Sequence, residues 1–278
     1  MKIKLKRIFL IILSIFGHIL CFKKRGIRIL FYHSVNPYRK YETNVIPEEF
    51  EKHIRYLKGN FEVISLIEAI KRIKNKSISG KEVVITFDDG YRDNYLYAYP
   101  VLQKYGLPAT IFLTVGYVGK NKVLPHDIGD NPEYNRILNW QDIKKMECSS
   151  IIFGSHTLNH VNLSKISFEK AKEEITLSYR ILKENLKNSF IPFSYPYGTF
   201  LDFNSEIKKI VKEAGYFCAC SAIYGVNNER TDLFSLYRIG IDSSDNFFTF
   251  KAKINGYLDF LSFKDVWLIK KFIRSLLC

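Results

Sequence analysis

Cysteine is scarce in this sequence and unpaired: Cys21, Cys148, Cys218, Cys220 and Cys278 are odd in number, and no two stand in a C-x-x-C spacing. That pattern excludes a disulfide framework and leaves free or buried thiols, which suit a reducing compartment slightly better than an oxidising one. Cys218 and Cys220 lie two apart in an expected strand, so they share a face without making a good pair. Acidic residues are also in deficit, 28 against 42 basic, for a net charge of +14. Such an excess suits nucleic acid, acidic polysaccharide or an anionic membrane face, and equally an ordinary solvated surface, so it selects none of them. Long hydrophobic runs are missing too. The longest, Ile8 to Phe22, has 15 residues, short of the roughly 20 that cross a bilayer. There are no repeats and no low-complexity tracts. With 47% hydrophobic residues over 278 positions, the chain suffices for one large α/β domain or two small ones, and disorder is not expected.

The first 25 residues combine Lys2, Lys4, Lys6 and Arg7, the apolar run, and Lys23-Lys24-Arg25. This resembles a signal peptide, but no small-x-small cleavage site follows. Arg7, Ser14, His18, Cys21 and Arg25 recur at helical spacing and would line one weakly polar stripe. An uncleaved anchor or an interfacial helix is therefore expected, with a helix packed on the domain as the alternative. The stretch Leu261 to Leu277 repeats the theme as a basic amphipathic helix. We accordingly divide the chain into a helix over 1–25, a main domain over 26–245 and an amphipathic tail over 246–278.

Between these ends, apolar runs rich in β-branched residues alternate with helical patterns. Strands are expected at Ile27–Tyr32, Val83–Phe87, Ala109–Thr114, Ile151–Gly154, Phe190–Tyr195, Phe217–Ala222 and Tyr237–Ile241. Helices are expected at Pro47–Lys58, Ser65–Lys74, Tyr95–Tyr105, Trp140–Met146, Ser167–Glu184, Asn204–Ala214 and Asn246–Leu258. Such alternation predicts an α/β fold with a parallel sheet, as a distorted or incomplete (β/α) barrel. The irregular stretch Val115–Asn139 reads as a substrate-side insertion.

Three segments fall at the carboxyl ends of expected strands, where barrel enzymes place their sites. Thr86-Phe87-Asp88-Asp89-Gly90 ends an apolar strand in two carboxylates, which need a partner if buried. One cation would account for one of them and leave the other as a base. Gly154-Ser155-His156-Thr157-Leu158-Asn159-His160 spaces two histidines four apart, a spacing that puts both on one face of a helical turn and suits a shared metal. Alternatively His156 caps a helix and His160 is a core histidine. Two histidines and one carboxylate form a usual ligand set for a catalytic zinc with an open position. Phe193-Ser194-Tyr195-Pro196-Tyr197-Gly198 is either an ordinary strand-to-turn ending or a rigid turn aiming an N–H at an oxyanion.

Taken together, T-F-D-D-G, S-H-T-x-x-H and Y-P-Y-G resemble the motifs of the polysaccharide deacetylase (NodB-homology) carbohydrate esterases, from about Ile27 to Asp242. Leu30-Phe31-Tyr32-His33 and Trp140-Gln141 are most similar to the poly-N-acetylglucosamine deacetylase branch. The resemblance implies Asp88 as general base, Asp89, His156 and His160 as ligands of a divalent metal, most readily Zn2+, and the Tyr197 backbone as an oxyanion donor. Many relatives carry an arginine at the place of Ser194 to orient the base, and Arg238 is a candidate for that role. Many also carry a late L-x-x-H motif supplying the acid. No histidine follows His160, and Leu30-Phe31-Tyr32-His33 has that pattern early, so His33 is expected as the acid unless it is a partly buried strand-end histidine. Tyr91, Tyr95, Trp140, Pro196, Tyr197 and Arg238 are expected at the substrate, although most aromatics must be core. The implied substrate is an N-acetylated glycan at the bacterial cell envelope, with membrane contact through the N-terminal helix and no nucleic acid. Rival readings are a deacylase of a lipid-linked sugar and a silent carbohydrate-binding module.

Overall fold

The structure, a computed structural model, describes residues 2–20 and 23–262. Most of the expected helix at Leu261–Leu277, together with Cys21 and Cys278, lies outside the described residues.

The strands are β1 (Arg28–Tyr32), β2 (Ser34–Val35), β3 (Asn44–Val45), β4 (Glu62–Val63), β5 (Glu82–Phe87), β6 (Ala109–Leu113), β7 (Ile151–Ser155), β8 (Phe193–Ser194), β9 (Ala219–Tyr224) and β10 (Leu236–Gly240). The helices are α1 (Lys2–Leu20), α2 (Pro47–Asn60), α3 (Leu66–Asn75), α4 (Tyr99–Tyr105), α5 (Trp140–Glu147), α6 (Phe168–Asn185), α7 (Ser205–Glu213) and α8 (Phe247–Asn255). Most start where a short polar side chain accepts an orphan N–H: Ser65 from Glu68, Ser167 from Lys170, Asn204 from Ile207. The expected helix Tyr95–Tyr105 opens instead with a π turn at Asn94–Ala98. The expected strand Phe190–Tyr195 contracts to β8 because Pro192 has no N–H for a ladder. The two-residue strands β2, β3 and β4 are too short for any periodicity to announce them.

Eight strands form one parallel sheet in the order β1-β10-β9-β8-β7-β6-β5-β4, and β1 also pairs with β5. The sheet therefore curls back on itself as a barrel that is unevenly closed. β7 and β8 share a single paired position, Ser155 with Phe193, and the register between β9 and β10 shifts between Leu236 and Arg238.

Alternation along the strands sorts two cores. Ile29, Val84, Phe112, Ile152, Cys220 and Leu236 share one cluster with Leu66, Ala69, Ile70 and Ile73 of α3. Leu30, Val83, Ile85, Ile111 and Phe153 face the other way, into the cluster shared with α2, α5, α6 and α7. Thr86 and Asp88 continue the row of Val84, so the sequence sends one carboxylate into the ring by strand parity alone. Contacts cross the boundary expected at 245/246. Lys253 of α8 pairs with Asp245 at 2.6 Å and donates to the Gly240 carbonyl at 2.7 Å, and α8 packs on α1 and α2.

Candidate metal centre and its flanking carboxylate

At the end of β5 the backbone reverses through Asp89 (φ 72°) and Gly90 (φ 78°), two consecutive left-handed residues. This costs Asp89 conformational energy, and Gly90 has no choice of residue: a Cβ there would come within 2.8 Å of the Leu113 side chain. The turn brings both carboxylates to the same end of the barrel. Asp88 and Asp89 are both nearly fully buried.

Asp88 is clamped by Arg238 of β10. Arg238 Nη1 and Nη2 donate to its two oxygens at 2.8 and 2.7 Å, Nη2 also donates to Ser194 Oγ at 2.9 Å, and Nε donates to the Ser221 carbonyl at 2.6 Å. The guanidinium lies 4.4 Å from the centre of the Phe31 ring. Burial would raise the Asp88 carboxyl, but Arg238, with His156 and His33 nearby, holds it below the ordinary carboxylate range.

Asp89 faces the histidines. Its Oδ1 lies 3.2 Å from His160 Nε2 and 3.6 Å from His156 Nε2, and the ligand atoms of all three residues lie within 4.8 Å of one another. The histidines do not sit on a helix as their spacing suggested. They flank an irregular turn in which Thr157 (φ 66°) and His160 (φ 57°) are left-handed. Glu174 of α6 holds that turn, accepting from the N–H groups of Leu158 (3.1 Å) and Asn159 (2.9 Å) and from Asn159 Nδ2 (2.7 Å). A buried glutamate thus spends its charge on backbone donors.

The second nitrogen of His156 fixes the first. Nδ1 lies 2.8 Å from the Ser194 carbonyl, which only accepts, so Nδ1 carries the hydrogen and Nε2 presents its lone pair toward Asp89. Burial pushes His156 down to about 4, which keeps the ring neutral. His160 behaves oppositely: burial lowers it, but the Asp89 carboxylate more than compensates and raises it. Asp89 is held well below the ordinary range, with burial opposed by the imidazoles of His160, His33 and His156. Although two imidazoles crowd Asp89 Oδ1, no hydrogen bond satisfies it. A buried carboxylate oxygen left so is costly, and a cation bound between Asp89, His156 and His160 would relieve it. One carboxylate and two imidazoles, one with its lone pair pre-aimed, fit a divalent ion with open coordination positions.

The remaining expected residues divide. His33 follows β1, half-buried, its carbonyl held by Asn94 Nδ2 at 2.9 Å. Tyr197 is left-handed (φ 61°) and exposed, its ring edge-on to that of His160 with the ring centres 5.3 Å apart. Trp140 opens α5 and packs half-buried on the main core. Tyr95 stacks on Tyr99. Three other expected substrate contacts lie as follows. Tyr91 is buried, its ring under Arg39 and its hydroxyl bonded to Asp127 Oδ2 at 2.8 Å, so no ring face is open to a sugar. Arg238 spends its donors on Asp88, Ser194 and Ser221 and is buried. Pro196 is buried within the turn, accepting from Gly198 N–H at 2.6 Å.

His126 is the residue that motif reading missed. The insertion carrying it is strapped down by a buried ion pair, Arg39 Nη2 to Asp127 Oδ1 at 2.6 Å. Tyr91 accepts from Arg39 at 3.0 Å and lies 3.0 Å from His126 Nε2. Since the Tyr91 hydrogen is committed to Asp127, His126 Nε2 donates. Its half-exposed ring stands 4.9 Å from that of His160 and its Nε2 3.8 Å from Asp89 Oδ2, at the mouth of the cluster. The signal available was a His-Asp pair in the one long irregular stretch.

Comparison with known proteins agrees with this geometry. The profile of the polysaccharide deacetylase family matches residues 75–219. YxkH of Bacillus subtilis (strain 168), itself only provisionally named a polysaccharide deacetylase, is 30% identical over 236 residues, covering 84% of this chain and 78% of that protein. A poly-beta-1,6-N-acetyl-D-glucosamine N-deacetylase of Staphylococcus aureus (strain MRSA252) is 29% identical over 197 residues, covering 67% of this chain and 63% of the enzyme, less than two thirds of its length. Among solved structures, the Streptococcus pyogenes deacetylase PplD, in complex with acetate, superposes with a TM-score of 0.66 at 26% identity, over 78% of this chain and 92% of that one.

Proposed function

Because this chain belongs to the polysaccharide deacetylase family, we propose that it hydrolyses the acetamide of N-acetylated amino sugars in a glycan of the N-acetylglucosamine type, releasing acetate and leaving a free amine. The observation that carries this reading is the buried, unsatisfied oxygen of Asp89 between His156 and His160, one residue from a second carboxylate held ionised by Arg238. The ion we assign to the first three residues is Zn2+, which when bound supplies Lewis-acid polarisation and acidifies water. The staphylococcal enzyme's name supports the glycan class.

The chain's own groups then divide the work. Asp88 accepts a proton from the attacking water, and Arg238 fixes the oxygen that receives it. The water oxygen adds to the acetamide carbon, and the Tyr197 N–H donates to the oxygen that becomes negative. His33 delivers a proton to the sugar nitrogen as the carbon–nitrogen bond breaks, so acetate and an amine leave. His126 lines the mouth, where a hexosamine enters.

Acetate release from N-acetylglucosamine oligomers, with and without chelator, tests the proposal. Release is expected from wild type, none after chelation, and none from Asp88→Asn, which should still bind one equivalent of metal. Full activity of Asp88→Asn would remove Asp88 from its role. A protein that holds metal but releases no acetate from oligomers or from a lipid-linked N-acetylhexosamine would leave the binding-module alternative.

A further inference from the structure

Helix α1 is fastened to the domain by its polar and small residues and turns its large apolar ones outward. Near its start, Lys6 pairs with Glu42 and, at 2.8 Å, with Asp242, while Arg7 donates to the carbonyls of Ser243 (2.9 Å) and Ser244 (3.3 Å). Near its end, Gly17 sits so close to the Tyr257 carbonyl that no side chain fits, and the His18 ring packs edge-on against Tyr257 at 4.5 Å. On the other side, Leu5, Ile8, Ile12, Ile15 and Ile19 are each 50–73% exposed. Steps of three and four residues align these five in one stripe. Phe248 of α8, 48% exposed, extends the patch across a groove of about 520 Å³ that Ile15, Ile19 and Tyr56 also line. Single exposed apolar residues are ordinary, but a stripe of five is not.

Three facts select its occupant. Residues 1–25 hold seven basic side chains and no acidic one. A second copy packed on the stripe would set like charges against each other, whereas an anionic lipid surface attracts them. No helix among the described residues is long and apolar enough to cross a membrane. Finally, Arg7 and Gly17, about 15 Å apart along the axis, both touch the same domain, so the helix cannot stand upright in a bilayer while docked. It can only lie flat.

We propose that α1 is a bilayer-docking face: it lies in the headgroup region of an anionic membrane, its Leu5–Ile19 stripe and Phe248 submerged and the flanking lysines among the lipid phosphates. Because Lys6 and Arg7 are tied to residues that directly follow β10, the helix begins at the rim that carries the candidate centre. A glycan borne at the membrane surface is thereby brought to that rim. The docking face stands whether or not the hydrolytic reading does.

Vesicle flotation of the full-length protein tests it, using neutral phosphatidylcholine vesicles and vesicles of equal parts phosphatidylcholine and phosphatidylglycerol. Wild type is expected to float with the anionic vesicles at least about tenfold more than with neutral ones, less so at high salt. A triple variant, Ile8→Ser, Ile12→Ser and Ile15→Ser, changes only exposed or half-exposed side chains and should keep its thermal midpoint yet stay in the soluble fraction. Asp88→Asn should float like wild type, which separates this proposal from the catalytic one. Wild type failing to float with anionic vesicles, or the triple variant floating equally well, would overturn it. So would a wild-type dimer that becomes monomeric in the triple variant without any vesicle binding, since the stripe would then join copies of the chain.

Discussion

Arg238 shows how much of this site depends on one side chain acting at several points. Its two terminal nitrogens bind both oxygens of Asp88, and a further bond reaches Ser194, where a larger residue would collide with the guanidinium. Lysine carries the same charge but offers no planar fork, so it cannot hold both oxygens at once. Methionine fills the volume and leaves Asp88 buried without a counter-charge. Breaking a buried pair by removing one partner costs about 3–5 kcal/mol, whereas losing one neutral partner of a charged group costs about 1.5–3. Urea denaturation should therefore rank Arg238→Met as the most destabilised, Arg238→Lys as intermediate and Ser194→Ala as the mildest. If Arg238→Met were as stable as wild type, the pair would contribute nothing to the fold and the orienting role of Arg238 would lose its structural basis.

At the level of elements, the contact between α2 and α8 carries a pH response of its own. His53 of α2 is stacked on Phe250 at 3.8 Å, lies 3.3 Å from Tyr32 Oη through Nδ1, and has no partner for its buried Nε2. Burial, with Lys253 and Lys52 nearby, lowers it to about 3, against an ordinary unfolded value of about 6.5. A depressed folded value means that the unfolded chain binds the proton first. The stability due to neutral His53 is thus complete above pH 6.5 and is lost as pH falls toward 3, by up to about 1.4 kcal/mol per unit. His53→Phe removes that loss. The stability difference between wild type and variant should shift by about 2 kcal/mol from pH 8 to pH 5, and a constant difference would show that His53 already titrates in the folded protein. Elements also show what was legible in the sequence. Asp88, Asp89, His156 and His160 could be read because each pair is local and ends a strand whose apolar run is plain. The left-handed turn at 157–160 could not, because Glu174, 14 residues beyond His160 and in another element, holds it. His126 was hidden for the same reason: Arg39 and Asp127, 88 positions apart, place it. Tyr91 and Arg238 were legible as neighbours of the site but not as buried, since burial is decided by which strands adjoin, and that is a property of the closed ring.

Across the whole molecule, buried charge pairs stitch the ring at intervals: Asp88 to Arg238 from β5 to β10, Arg39 to Asp127 between two loops, and Arg28 to Asp259 at 2.5 Å from β1 to the turn after α8. The candidate centre is a different kind of junction: Asp89 from β5 meets two imidazoles that follow β7 with no hydrogen bond to its inner oxygen. A cation there would join these elements in the folded chain and find no such cluster in the unfolded one. Its binding free energy is then folding free energy: at a free concentration a thousandfold above Kd it adds about 4 kcal/mol. For a chain of this size each kcal/mol moves the thermal midpoint by roughly 2–4 °C, so chelation should lower Tm by roughly 10 °C and zinc should restore it. His160→Ala removes one ligand and should melt at the same temperature with and without chelator, near that of the chelated wild type. Asp88→Asn, which leaves the three ligands in place, should keep most of the shift. A wild-type midpoint indifferent to both chelator and added zinc would mean that the crowding at Asp89 is tolerated without an ion, and the hydrolytic reading would lose its centre.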